Sequence, residues 1–179
     1  DKARKYNKIP LELKEKITPR KHQKEALKAW SLEQQRGFVS LPTGSGKTIL
    51  AIMAIAQVKR STLVVVPTID LMNQWYDVLS KYLSTPIGRL GGGFKDYQEI
   101  LVSTYDSARM IIEHKGSEFG FLIVDECHHL PAEQNRIIAQ SCLAPFRLGL
   151  SATIQRADGK EDLLDELIGT QVYESSIKQ

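Results

Sequence analysis

Two continuous runs of β-branched and apolar residues, STLVVVPT at 61–68 and FGFLIVDE at 119–126, restrict the fold more than any other feature. A strand that is apolar on both sides must be covered on both sides, as in the centre of a parallel sheet. EILVSTY at 99–105 and FRLGLSAT at 146–153 read as two more strands, and residues 38–41 as a short one. Parallel neighbours need long crossovers. The intervening segments supply them, with helices predicted at about residues 47–58, 69–83, 106–113, 132–141 and 161–168. A further helix is predicted to start at Thr18-Pro19, where Thr18 can cap and Pro19 suits the first helical position. Arg20, Gln23, Leu27 and Trp30 then share its inward face, with a polar pair in the first turn. The alternation predicts an α/β fold, a three-layer α/β/α sandwich around a mostly parallel sheet. Ligands of such sheets sit at the carboxyl ends of the strands.

With 179 residues the chain suits one domain and a short appendage. Its 42% apolar and 25% charged residues argue against disorder. No apolar run reaches the roughly 20 residues that span a bilayer. The Lys-rich N-terminus lacks the apolar segment of a secretion leader. Cys127 and Cys142 are too few for a disulfide scaffold and fit a reducing interior. An intracellular location is therefore expected, cytoplasmic in a prokaryote and nuclear in a eukaryote. Residues 1–28 hold ten Lys/Arg against four Asp/Glu, +6 in a chain of net +3. Residues 1–17 lack periodicity and read as a basic linker, whose charge either seeks phosphate or is simply solvated. The domain is expected to run over residues 18–175.

LPTGSGKT at 41–48 follows a predicted strand and opens a predicted helix, the setting of a P-loop. Thr43, Gly44, Ser45 and Gly46 would bring backbone N–H groups to phosphate oxygens, and the helix N-terminus adds about half a positive charge. Lys47 is placed to reach the β- and γ-phosphates of ATP, and the Thr48 hydroxyl to bind Mg²⁺. Leu41 stands where the strict pattern has glycine, so a glycine-rich turn with a chance lysine stays open. Asp125 and Glu126 end a buried strand, where adjacent carboxylates make poor core residues. Asp125 fits a Mg²⁺ ligand acting through water, and Glu126 fits the group that orients or deprotonates an attacking water. Cys127, His128, His129 and Cys142 form by count a Cys₂His₂ zinc set. Three of them are consecutive, however, and their side chains diverge.

LPTGSGKT, DECHH at 125–129 and Ser151-Ala152-Thr153, in that order, resemble the first RecA-like domain of a superfamily 2 helicase of the DExH type, over about residues 18–175. DECHH and the tail SATIQRADGKEDLLDELIGTQVYE at 151–174 are similar to XPB-type helicases, the xeroderma pigmentosum group B family of DNA-repair and transcription translocases. The resemblance implies a P-loop NTPase that binds ATP and Mg²⁺ and hydrolyses ATP to drive movement on DNA. Lys47, Asp125 and Glu126 would be catalytic, and Thr48 and Asp125 would hold the metal. Arg20 and Gln23 would contact adenine, although such a pair is also common on an exposed surface. His128 would link the nucleotide site to Ser151 and Thr153.

Pro67-Thr68 with Gln74-Trp75 is similar to the family's Ia motif, Gly91-Gly92-Gly93 to its GG motif and Thr104-Tyr105 to its Ib motif, which touch the backbone of the strand. Thr68 can equally cap a helix, and three glycines can equally make a flexible turn. Arg156-Ala157-Asp158 resembles the Arg-Glu-Asp element of XPB-type enzymes without its glutamate. The family also implies a second RecA-like domain that supplies an arginine, and the 26 residues after Thr153 leave no room for it. A repair or transcription complex is an implied partner, and a membrane is not. A restriction-type or RNA-directed motor, and a nucleotide-binding module without motor activity, remain the alternatives.

Overall fold

The computed structural model describes residues 6–152 and 161–175. From the N-terminus the elements are α1 (Lys21–Leu32), β1 (Arg36–Ser40), α2 (Lys47–Val58), β2 (Thr62–Val66), α3 (Ile69–Tyr82), β3 (Ile87–Gly91), β4 (Phe94–Lys95) and β5 (Ile100–Thr104). There follow α4 (Tyr105–Lys115), β6 (Phe121–Asp125), a 3-10 turn (Cys127–His129), α5 (Arg136–Gln140), β7 (Phe146–Ser151), α6 (Glu161–Leu167) and β8 (Gln171–Glu174). The strands form one sheet in the order β4-β3-β5-β2-β6-β7-β1-β8. Every neighbouring pair is parallel except β3 with β4, a short hairpin at one edge.

Successive side chains of a strand point to opposite faces, and the central strands feed two cores in this way. Val64 and Val66 of β2, Ile100 and Val102 of β5 and Ile123 of β6 pack with α1, α2 and α3 on one face. Leu63, Val65, Leu101, Leu122 and Val124 pack with α4, α5 and α6 on the other. The result is the expected three-layer sandwich. Helix α2 is apolar on most of its circumference and buries Leu50, Ala51, Ile52, Ala54, Ile55 and Val58. Each fully buried Leu or Ile is worth about 1.5–3 kcal/mol of transfer free energy. Trp30 is fully buried, stacks on Phe121 at 5.5 Å and donates its indole N–H to the Arg147 carbonyl at 2.8 Å.

Several elements differ from the sequence expectation. Helix α1 begins at Lys21 with Arg20 as its N-cap, not at Thr18. The Gln23 side-chain carbonyl accepts the Arg20 N–H at 2.8 Å, so the helix is closed from inside its first turn. The helix expected at 132–141 contracts to α5, because Asn135 is tied back to the His129 carbonyl at 2.8 Å and holds the preceding residues in turns. Strands β3, β4 and β8 were not expected. β4 and β8 are short edge strands, and β3 lies next to β4; all three lack the doubly apolar pattern of the centre. Part of the basic lead-in lies against the domain: Leu11 is buried, Ile9 N–H bonds the Lys59 carbonyl at 3.0 Å, and Lys14 N–H bonds the Tyr82 carbonyl at 2.8 Å.

Candidate active site

The carboxyl ends of β1, β6 and β7 converge on one edge of the sheet, and the chemistry-bearing residues leave from there. Strand β1 is followed by fully buried Leu41, and the chain then turns through residues 42–46. Ser45 N–H bonds back to the Pro42 carbonyl at 3.1 Å. Gly44 (φ 80°) and Gly46 (φ 85°) adopt the left-handed region that favours glycine. A Cβ at Gly44 would meet nothing within 4 Å, so the turn presents bare backbone outward. Leu41 departs from the strict glycine pattern and is an anchoring core residue. Gly46 caps α2, and Lys47 opens it.

Lys47 Nζ donates to Glu126 Oε1 at 3.0 Å and lies 4.0 Å from Asp125 Oδ1. Asp125, the last residue of β6, is 5% exposed. Its Oδ1 accepts the Glu126 N–H at 2.9 Å, and its Oδ2 accepts the Trp75 indole N–H at 3.1 Å. Burial pushes the Asp125 carboxyl above the usual carboxylate range; Lys47 and the Trp75 donor pull it back in part. Glu126 sits in the left-handed region at φ 49°. The Tyr105 hydroxyl donates to the Asp125 carbonyl at 2.7 Å and to the Glu126 carbonyl at 3.1 Å. His128 Nδ1 lies 3.0 Å from Ser151 Oγ and 3.6 Å from Glu126 Oε2. Burial, with His129 beside it, holds the His128 imidazole below its usual value, so the ring is neutral at pH 7. The donor types fit the expected ligands: Lys47 and open backbone for a phosphate, and hard oxygens from Thr48 and Asp125 for Mg²⁺.

The zinc alternative fails. Cys127 and Cys142 are buried thiols of the core, while His128 and His129 lie outside it, the His128 side chain partly covered at 37% exposure, and no metal-holding cluster occurs among the described residues. Burial pushes both thiols up, away from the thiolate a metal needs.

Helix α1 braces the phosphate loop. His22 Nε2 lies 2.7 Å from the Ser45 carbonyl, and the Gln23 amide donates to the Gly46 carbonyl at 3.1 Å. Gln23 is buried, whereas Arg20, Thr43 and Gly44 are exposed. Thr68 caps α3 through Leu71 N–H at 3.1 Å, and Thr104 caps α4 through Ser107 N–H at 3.3 Å. Gly91 and Gly92 close on these two caps: a Cβ at Gly91 would stand 3.0 Å from Thr104 Oγ1, and one at Gly92 would stand 2.9 Å from Ile69 Cγ2. Pro67, Thr68, Gly91 and Gly92 thus gather on one surface over the Thr104 cap, which is itself 7% exposed. The Tyr105 side chain is 6% exposed, and its hydroxyl is turned toward the Asp125 and Glu126 backbone carbonyls rather than toward this surface. Thr153, Arg156 and Asp158 lie outside the described residues. Sequence reasoning missed His22 and the donor roles of Trp75 and Tyr105. Each contact joins residues at least 20 positions apart, and no short motif encodes it.

The chain matches the family described as "Type III restriction enzyme, res subunit" over residues 16–156. It is 47% identical over 171 residues to the DNA 3'-5' translocase XPB2 of Sulfurisphaera tokodaii, across 96% of this chain and 38% of that protein. It is 30% identical over 188 residues to the general transcription and DNA repair factor IIH helicase/translocase subunit XPB of Schizosaccharomyces pombe, across 94% of this chain and 23% of that protein. The chain therefore spans well under half the length of these relatives. The solved UvsW helicase from bacteriophage T4 shares the fold, with a TM-score of 0.72 at 23% identity over 89% of this chain and 61% of that one. The family match takes in the glycine turn, the Asp125-Glu126 pair and Ser151, and the chain belongs to the type III restriction enzyme res-subunit family, with relatives of the XPB type and the fold of the UvsW helicase.

Proposed function

We propose that this chain is the ATP-binding motor domain of an ATP-dependent DNA translocase or helicase. The observation that carries the reading is the convergence of Lys47, Asp125 and Glu126 within 4.0 Å at the carboxyl edge of the sheet, beside an open glycine turn. Lys47 exchanges its bond to Glu126 for the β- and γ-phosphates when ATP enters. The freed Glu126 carboxylate then accepts a proton from the water that attacks the γ-phosphorus, and the bond to the β-phosphate oxygen breaks to leave ADP. Thr48 and Asp125 would hold Mg²⁺, which would supply charge neutralisation at the phosphate oxygens. Backbone N–H groups of residues 43–48 cradle the phosphates. Arg20 and Gln23 lie beside this loop for adenine, and Gln23 trades part of its bracing bond to do so. The neutral His128 and Ser151 pass the state of the site toward the Thr153 segment.

Pro67, Thr68, Gly91, Gly92 and Thr104 form the surface for a nucleic-acid backbone, with Arg156 and Asp158 assigned to it by resemblance alone. Backbone contacts suit a motor that must step along any sequence. The partners are DNA, a second RecA-like domain of the full-length protein that supplies an arginine, and a repair or transcription assembly. The DNA reading rests on the names of the XPB-type relatives, which match more of this chain than the restriction-type family description does. ATP hydrolysis by the full-length protein, measured with single-stranded DNA, duplex DNA and RNA, tests it. Stimulation by DNA is expected. Stimulation by RNA alone would reassign the substrate, and hydrolysis indifferent to both would leave a nucleotide-binding module.

A further inference from the structure

We propose that Trp75 and Tyr105 are positioning residues for the catalytic carboxylates, and that α3 and α4 carry strand occupancy to the nucleotide site through them. The inference rests on the proposed function and deepens it. The Trp75 indole N–H donates to Asp125 Oδ2 at 3.1 Å, and the Tyr105 hydroxyl donates to the Asp125 and Glu126 carbonyls at 2.7 and 3.1 Å. The rings are 3% and 6% exposed, so water does not compete for these bonds. Each donor rides on a helix whose cap belongs to the nucleic-acid surface. Thr68 caps α3 about two turns before Trp75, and Thr104 caps α4 immediately before Tyr105. Gly91 and Gly92 touch the starts of both helices, so one strand lying there engages the two together.

The two donors control different features of the pair. Trp75 fixes the rotation of the Asp125 carboxylate, whose other oxygen is held by the Glu126 N–H at 2.9 Å. Tyr105 fixes the backbone where Glu126 enters the left-handed region at φ 49°, a conformation that ordinary residues resist. A rigid helix transmits a shift at its N-terminus to a side chain two turns along. A small movement of α3 under a bound phosphate therefore rotates the metal-binding carboxylate. A movement of α4 likewise tilts the Glu126 carboxylate toward or away from the attacking water. Packing alone needs only the rings; the N–H and O–H groups serve the carboxylate pair.

Trp75→Phe and Tyr105→Phe keep the rings and remove the donors. The test is calorimetric binding of a non-hydrolysable ATP analogue to the full-length protein, with and without Mg²⁺ and with and without a single-stranded oligodeoxynucleotide. In the wild type both additions should tighten binding, the oligonucleotide by about 5- to 150-fold, the usual span for coupled sites. In each variant the gain from Mg²⁺ should shrink by about tenfold, the lower range for lost outer-shell support of a metal ligand, because the Tyr105 hydroxyl also holds the Asp125 backbone carbonyl at 2.7 Å. The oligonucleotide effect should fall most of the way to none. A packing role would lower the melting temperature and leave both gains at their wild-type size, and that result overturns the inference. Should Trp75→Phe not fold, Tyr105→Phe on the other helix reports the same two gains. A wild-type protein that binds no nucleotide overturns the proposed function itself, and variants that match a nucleotide-binding wild type overturn only the positioning role.

Discussion

Asp125 and Glu126 are adjacent in sequence, yet their surroundings give them different parts. Asp125 is almost fully buried and holds donors on both carboxylate oxygens, which suits a ligand whose orientation its neighbours set. The Glu126 side chain is 27% exposed and pairs with one mobile cation, which suits a group that must change partners. His128 beside them is a pH-sensitive element. Its folded imidazole binds a proton less tightly than the unfolded one, because burial disfavours the charge. Stability is therefore complete above the ordinary imidazole value and falls as pH drops through about 6.5. His128→Asn keeps a polar partner for Ser151 and removes the titration. The melting temperature of the wild type should fall more steeply than that of His128→Asn between about pH 7.5 and 5.5; parallel profiles would show that His128 pays no such penalty. Lys47, Asp125 and Glu126 were legible in the sequence because glycines, a lysine and paired carboxylates have few other uses at strand ends. His22 and Trp75 were not, since a buried histidine or tryptophan looks the same whether it packs or donates.

At the scale of elements, the link between α1 and the phosphate loop is the most demanding contact. Gly46 is left-handed, and an added Cβ would run into the Gln23 side-chain amide. Gly46→Ala should therefore cost about 1–2 kcal/mol from the backbone conformation alone, with more from the displaced brace. A fall of at least about 2 °C in melting temperature is expected for a domain of this size, together with weakened nucleotide binding. An unchanged melting temperature would mean that the loop relaxes at no cost. Central strands and α2 were readable because unbroken apolar runs admit few alternatives; α2 spans Lys47–Val58, as expected from its motif and periodicity. The start of α1 was misplaced because Thr18-Pro19 is a strong local signal, and the Gln23 bond that closes the helix two residues later is a reciprocal contact that propensity does not show. Strand β8 is half-exposed and only Gln171–Glu174 long, and among the described residues it pairs in the sheet with β1 alone, so nothing local marks it.

Across the whole molecule, the sheet places the two proposed sites on one edge. Strands β1, β6 and β7 deliver the phosphate loop, the carboxylates and Ser151, while β2, β3 and β5 deliver Thr68, Gly91 and Thr104 beside them. The order β5-β2-β6-β7-β1 makes these two sets neighbours, the arrangement on which the proposed sharing of buried side chains rests. An arginine from a second domain would complete the site, and such a residue is worth about 10³–10⁵ in rate. The central claim is that Lys47 holds the phosphates and Glu126 acts only in the attack by water. It is tested most directly by titrating the full-length protein, wild type, Lys47→Ala and Glu126→Gln, with a non-hydrolysable ATP analogue and Mg²⁺. Lys47→Ala should bind at least about tenfold more weakly, having lost its charge-assisted bonds to phosphate. Glu126→Gln should bind as tightly as the wild type or tighter, because Lys47 no longer gives up an ion pair at 3.0 Å to reach the ligand. Equal affinity of Lys47→Ala and the wild type would contradict the account.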